Sequence, residues 1–131
     1  MPDPDSLIAA AADARDRAIA PYSNFRVGAA LELADGRVVT GCNIENATFG
    51  LTVCAERVAL LTALAAGERQ FRAIAVLTQS SKPATPCGPC RQLLWEYCGD
   101  IDVITASTTG TTARYRLAEL LPHPFAHIPE D

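Results

Sequence analysis

Leu7, Ala11, Ala14 and Ala18 recur at helical spacing near the start of the chain, with Asp13, Asp16 and Arg17 on the other side. That pattern predicts a helix with one apolar stripe, capped by Asp5 or Ser6, running to about Ala20 and closed by Pro21. Phe25 to Leu33 is rich in Val, Ala and Leu, Ala34-Asp35-Gly36-Arg37 carries turn chemistry, and Val38 to Ile44 returns as a partner strand, so an antiparallel pair is expected. Glu45 to Thr52 reads as a loop. A second helix is expected from Cys54 to about Ala66, with Val58, Leu61 and Ala65 as its apolar stripe and Gly67 as its stop.

Phe71 to Thr78 is mostly apolar, as a buried strand should be, and Gln79 to Thr85 is polar and holds Pro83, so it reads as loop. From Cys87 the stripe Cys90, Leu94 and Tyr97 predicts a third helix ending near Cys98-Gly99. Ile101 to Ala106 reads as a fourth strand, Ser107 to Thr112 as a turn, Arg114 to Leu117 as a short fifth strand, and Ala118 to Leu121 as one helical turn. Pro122, Pro124 and Pro129 then forbid regular structure and leave a strap over 119–131. Strand, helix, strand, helix, strand through the middle implies an α/β sheet with right-handed crossovers and helices packed on it.

Composition narrows the function classes. The 131 residues are 49% hydrophobic, enough for one globular domain over 1–131 with a core, and no apolar run reaches the roughly 18 residues of a membrane span. Fifteen acidic against eleven basic residues give a net charge of −4, the wrong sign for holding a nucleic acid polymer or an anionic membrane. A small, weakly charged substrate fits better. Five cysteines and a start without a signal-peptide pattern point to a reducing cytoplasm.

The chemistry sits between Cys54 and Cys90. Cys87 and Cys90 alone form a C-x-x-C pair, which can be a redox couple or half a metal site. A third cysteine followed directly by Ala55-Glu56 sharpens the choice, because a metal that activates water needs a base beside it that is not itself a ligand. Three thiols at helix starts, where backbone N–H groups favour thiolate, make a soft site suited to Zn2+ with one corner open. The duller reading is three small buried residues or a dithiol. Cys42 and Cys98 read as buried small hydrophobes, and His123 and His127 sit too near prolines and the end to displace the cysteines as ligands.

Pro21-Tyr22-Ser23-Asn24-Phe25, Val27-Gly28-Ala29-Ala30, Gly41-Cys42-Asn43-Ile44-Glu45-Asn46-Ala47, Cys54-Ala55-Glu56-Arg57 and Pro86-Cys87-Gly88-Pro89-Cys90-Arg91-Gln92 together resemble the short, homotetrameric cytidine deaminases of pyrimidine salvage, over nearly the whole chain. The resemblance implies a three-layer α-β-α fold with a central mixed five-stranded sheet and helices on both faces. It implies zinc, one ion per subunit, on Cys54, Cys87 and Cys90. By the same resemblance Glu56 would take a proton from the activated water, pass it to N3 of the pyrimidine as oxygen attacks C4, and help protonate the departing amine. Three thiolates make a poor Lewis acid unless their charge is offset, and Arg57, Arg91 and the two helix starts are the local candidates.

By the same resemblance Asn43 and Glu45 bind the sugar hydroxyls, the Ala55 N–H and Thr85 carbonyl meet the base edge, and Phe25 packs on base or sugar. Phe49 stands where relatives commonly have tyrosine, and Phe125 lies in a strap that reaches a neighbouring subunit's site; His123-Pro124 replaces the small residues usual before it. The expected reaction is hydrolytic deamination of cytidine and 2′-deoxycytidine to uridine and 2′-deoxyuridine with release of ammonia. Two other readings stand beside it. One is deamination of a modified cytosine nucleoside such as blasticidin S; the other is a non-catalytic zinc module closed by Cys42 or Cys98.

Overall fold

A computed structural model describes residues 3–81 and 83–125, the side chain of Phe49 set aside. His127, Pro129, the end of the strap and the side chain of Phe49 therefore lie outside the described residues. The elements run α1 (Pro4–Arg15), β1 (Val27–Leu33), β2 (Val38–Cys42), a 3-10 turn (Phe49–Leu51), α2 (Ala55–Ala65), β3 (Phe71–Thr78), α3 (Gly88–Cys98), β4 (Asp102–Ser107), β5 (Thr112–Arg116) and α4 (Leu117–Leu120). The strands form one five-stranded mixed sheet in the order β2-β1-β3-β4-β5. β3 and β4 are parallel, joined through α3, and the other pairs are antiparallel.

Alternation along the strands feeds two cores. Ala30, Ala73, Ala75, Ile104 and Ala106 face α1, meeting Leu7 and Ala11. Ala29, Leu31, Ile74, Val76 and Val103 face the other way, meeting Ala55, Ala59, Leu60 and Ala63 of α2 and Leu94 of α3. This is the three-layer arrangement with helices on both faces of the sheet. Small residues set its thickness. A β-carbon on Gly28 would lie 1.9 Å from the Ala11 carbonyl oxygen, and one on Gly41 would lie 2.4 Å from the Ala59 nitrogen, so each helix rests directly on strand backbone. Among the described residues no helix is long and apolar enough to cross a membrane.

Several boundaries differ from the sequence expectation. α1 is capped by Asp3, whose Oδ1 accepts from the Ser6 N–H at 2.8 Å, because Pro4 suits the first helical position. It ends at Arg15, not near Ala20. The chain leaves the helix to pair Ile19 with Ile44: the Ile19 N–H donates to the Asn43 carbonyl, and the Glu45 N–H donates to the Ile19 carbonyl. That tertiary pairing outweighs helix propensity. β1 begins at Val27, not Phe25, and β2 ends at Cys42, with Ile44 held by isolated bridges. β5 begins at Thr112, two residues before the expected Arg114, where the antiparallel register with β4 starts.

The stripe of α2 is also corrected. Its buried face is Ala55, Glu56, Ala59, Leu60 and Ala63, whereas Leu61 is 49% exposed. Close approach to Gly41 selects the alanine face over the face with the larger side chains. On α3, Cys90 and Leu94 are buried as expected, and Tyr97 is exposed.

Candidate active site

Two helices begin at the site. Cys54 and Cys87 are the N-cap residues of α2 and α3, both in extended backbone, and neither side chain caps its own helix. Their sulfurs are therefore left to each other. Cys90 lies one turn into α3, on the same side as Cys87. The three Sγ atoms lie within 4.8 Å of one another, with 3.3 Å from Cys87 to Cys90 and 4.0 Å from Cys54 to Cys87.

These separations bracket the edge of about 3.8 Å that three sulfurs would share around tetrahedral zinc at about 2.3 Å, so the donor set fits that ion. Cys87 is exposed, Cys54 half-buried and Cys90 buried, so the site runs from the surface into the base of α3. Among the described residues no Cys, His, Asp or Glu joins the three, and Cys42 and Cys98 stand apart as free thiols. A closed shell using either is thus contradicted. Burial pushes the Cys98 thiol up to about 12.

A hydrogen bond from Cys90 pulls the Cys54 thiol down to about 5, with help from Arg57 and against burial, while the same bond pushes the Cys90 thiol up. Arg57 Nη2 donates to Cys54 Sγ at 3.5 Å, within the first turn of α2. Arg91 does not do the same. Its Nε donates to the Pro86 carbonyl at 2.7 Å, Nη1 to the Leu120 carbonyl at 2.7 Å and Nη2 to Thr85 Oγ1 at 2.6 Å. Carbonyl and hydroxyl oxygens thus take up the Arg91 guanidinium, where a sulfur takes up that of Arg57.

A cavity of about 270 Å³ opens beside the sulfurs, and Phe25, Asn43, Glu45, Ala55, Glu56 and Thr85 all line it together with Cys54 and Cys87. Glu56 is 6% exposed, and its carboxyl is pushed up to about 7, chiefly by burial and further by negative charge on Cys54. On the same lining, Glu45 Oε1 accepts from the N–H groups of Tyr22 and Ser23 at 2.9 and 3.0 Å, and Oε2 accepts from the Ser23 hydroxyl. Those bonds, the Ser23 hydroxyl first, hold the Glu45 carboxyl below the usual carboxylate range.

Asn43 is buried and already employed. Its Oδ1 accepts from the Val27 N–H and its Nδ2 donates to the Phe25 carbonyl, each at 2.8 Å, which ties the end of β2 to the entry of β1. One amide hydrogen and one lone pair remain. Phe125 does not line this cavity; it is 52% exposed, with its backbone paired to the Gln92 side chain. Sequence reasoning missed Val27, Val76 and Thr78, which floor the cavity. Strand alternation places all three on one face, but only the sheet order shows which face opens to the site.

Residues 1–107 match the family model for the cytidine and deoxycytidylate deaminase zinc-binding region. The chain is 47% identical over 124 residues to a cytidine deaminase of Halalkalibacterium halodurans, covering 94% of each. A crystal structure of cytidine deaminase from Burkholderia pseudomallei superposes with a TM-score of 0.90 at 48% identity, covering 92% of this chain and 98% of that one. A blasticidin-S deaminase of Bacillus cereus is 30% identical over 108 residues, 76% of each chain.

Proposed function

This chain belongs to the cytidine and deoxycytidylate deaminase zinc-binding family and is an enzyme that deaminates cytidine, and on that premise we propose how the work divides among its residues. Cys54, Cys87 and Cys90 would hold the zinc, with Arg57 offsetting part of their negative charge. Zinc, when bound, supplies the Lewis acidity that lets a water molecule ionise near neutral pH. Glu56 removes a proton from the attacking water and returns it to N3 of the pyrimidine while the water oxygen bonds to C4. Glu56 then carries the second proton to the amine, the C4–N bond breaks, and ammonia leaves a C4 carbonyl behind. Cytidine and water thus become uridine and ammonia.

The observation that carries this reading is the placement of Glu56: a buried carboxylate on the wall of the same cavity as the sulfurs, and not a member of their cluster. Asn43 and Glu45 bind the sugar hydroxyls, the Ala55 N–H and Thr85 carbonyl meet the base edge, and Phe25 packs on the ring. A carboxylate fixed by two N–H groups and a hydroxyl is preorganised as an acceptor for a ribose or deoxyribose hydroxyl. 2′-Deoxycytidine is a second substrate on this reading, and a free base is a poor one, since it would leave those acceptors unpaired.

The assembly belongs to the same proposal. Ile19, Leu51 and Leu61 are large apolar side chains exposed on a single subunit, which suits burial in a homotetramer, with Phe125 directed to a neighbour's site. All five cysteines are free, which suits a cytoplasmic enzyme. Zinc-loaded protein mixed separately with cytidine, 2′-deoxycytidine, cytosine and blasticidin S, with ammonia followed and a chelator arm alongside, tests the reading. Turnover of both nucleosides and little of cytosine is expected. Equal turnover of cytosine would remove Asn43 and Glu45 from sugar recognition, and no ammonia from cytidine would refute the whole assignment.

A further inference from the structure

Arg91 spends all three of its nitrogens inside the chain. It links two segments: the end of the loop before α3, where Thr85 lines the cavity and Pro86 directly precedes Cys87, and Leu120 at the end of α4. Its neighbour Gln92 reinforces the same connection, donating to the Phe125 carbonyl at 2.7 Å and accepting from the Phe125 N–H at 3.0 Å. A guanidinium donating to two carbonyls and a hydroxyl forms charge-assisted bonds in a fixed fork, geometry that a lysine ammonium does not reproduce. Among the described residues of 79–86 none lies in a helix or strand, so no regular backbone pattern fixes the Thr85 carbonyl.

We infer that Arg91 is a positioning residue for substrate: it holds the Thr85 wall of the cavity in place against the C-terminal strap and leaves the charge of the sulfurs to Arg57. The inference rests on the deaminase reading above. Arg91 therefore acts on the grip of the substrate and not on the electron demand of the metal. Because the wall and the strap share one guanidinium, loosening the strap also loosens the wall.

The test uses full-length zinc-loaded protein carrying Arg91→Gln, Arg91→Lys, Thr85→Val, and the Arg91→Gln/Thr85→Val pair. Zinc content, kcat and KM for cytidine, and amide exchange at Leu121 and Phe125 are measured. Arg91→Gln raises KM about tenfold while kcat stays within about threefold and zinc content stays at the wild-type value. The pair is no worse than Arg91→Gln alone, since Thr85 has no partner left to lose. Arg91→Lys keeps the charge but sits nearer to Arg91→Gln than to wild type, and both Arg91 variants speed amide exchange at Leu121.

Unchanged KM in Arg91→Gln, or additive effects in the pair, overturns the inference. So does zinc loss with a shifted pH profile that Arg91→Lys restores, which would return Arg91 to tuning the sulfurs. If Arg91→Gln fails to fold, wild-type KM in both Arg91→Lys and Thr85→Val overturns it equally. A wild-type protein inactive on cytidine would sink the deaminase reading itself, and the exchange rates would still decide whether Arg91 fastens the strap.

Discussion

Gly41 of β2 lies under Ala59 of α2 so closely that an added β-carbon would stand 2.4 Å from the Ala59 nitrogen and 2.5 Å from the Ala55 carbonyl oxygen. Both neighbours are backbone of the helix that presents Cys54 and Glu56, so the strain cannot be relieved by turning a side chain. Gly41→Ala is expected to cost about 1–3 kcal/mol and to weaken zinc retention as α2 lifts from the sheet. Urea unfolding together with metal content checks this; a variant of wild-type stability would show that α2 does not rest on β2 as described.

Glu56 is buried, faces the cavity and stands outside the sulfur cluster. Glu56→Gln keeps its size and leaves the cysteines alone, so zinc content should match wild type while turnover of cytidine falls by about 10² to 10⁴ or more. Metal analysis and ammonia release on the same sample make the comparison. Near-normal kcat would remove Glu56 from proton transfer.

On the sheet face toward α1, Glu32 is 5% exposed and pairs with Arg72 at 3.0 Å, while the arginine side chain is 30% exposed. The two truncations should therefore be unequal. Arg72→Ala strands a buried carboxylate and should destabilise by roughly 3–5 kcal/mol, whereas Glu32→Ala leaves a cation that still reaches solvent and donates to the Leu33 carbonyl, and should cost clearly less. Paired chemical denaturation curves decide it; the reverse order would mean that the carboxylate finds relief elsewhere.

Asp102 is held below the usual carboxylate range, first by the Arg114 hydrogen bond and then by Arg116. A carboxyl whose folded-state pKa is depressed contributes stability in full above its unfolded value of 3.8 and loses it as pH falls through the folded value. Asp102→Asn should lower the urea midpoint at pH 6 and make it less sensitive to pH below about 4. Parallel acid profiles for mutant and wild type would contradict the pairing.

Local chemistry that coincides with global packing could be read from the chain alone. The apolar run from Phe71 to Thr78 predicts a strand with the ends it has, because a buried strand between a glycine stop and a polar loop has no competing structure. Cys54 and Cys87 are expected at helix starts for the same reason. Where two surfaces compete, periodicity is blind. Val58 and Leu61 outrank alanine as apolar residues, yet the alanine face of α2 is buried, since Gly41 two elements away admits nothing larger. Ile19 likewise leaves its helix for a partner 25 positions on, Ile44, a choice that no local window contains. Arg91 sits one residue after a cysteine with two acceptors close by in sequence, Thr85 and Pro86, but the third, Leu120, lies 29 positions on and is fixed by tertiary structure.

Cys54 and Cys87 are 33 positions apart and stand on different helices. An ion held by both would tie the β2–α2 half of the molecule to the α3 crossover, and because it binds the folded site and not the unfolded chain it would stabilise the fold by mass action, by about 3 kcal/mol at a hundredfold excess over its dissociation constant. Chelation should accordingly lower the melting temperature by several degrees as well as stop turnover, and calorimetry before and after zinc is restored would read the difference; an unchanged melting temperature would leave zinc a purely chemical role. A cell short of zinc would then hold fewer copies of this polypeptide as well as idle ones, because proteases clear whatever comes undone.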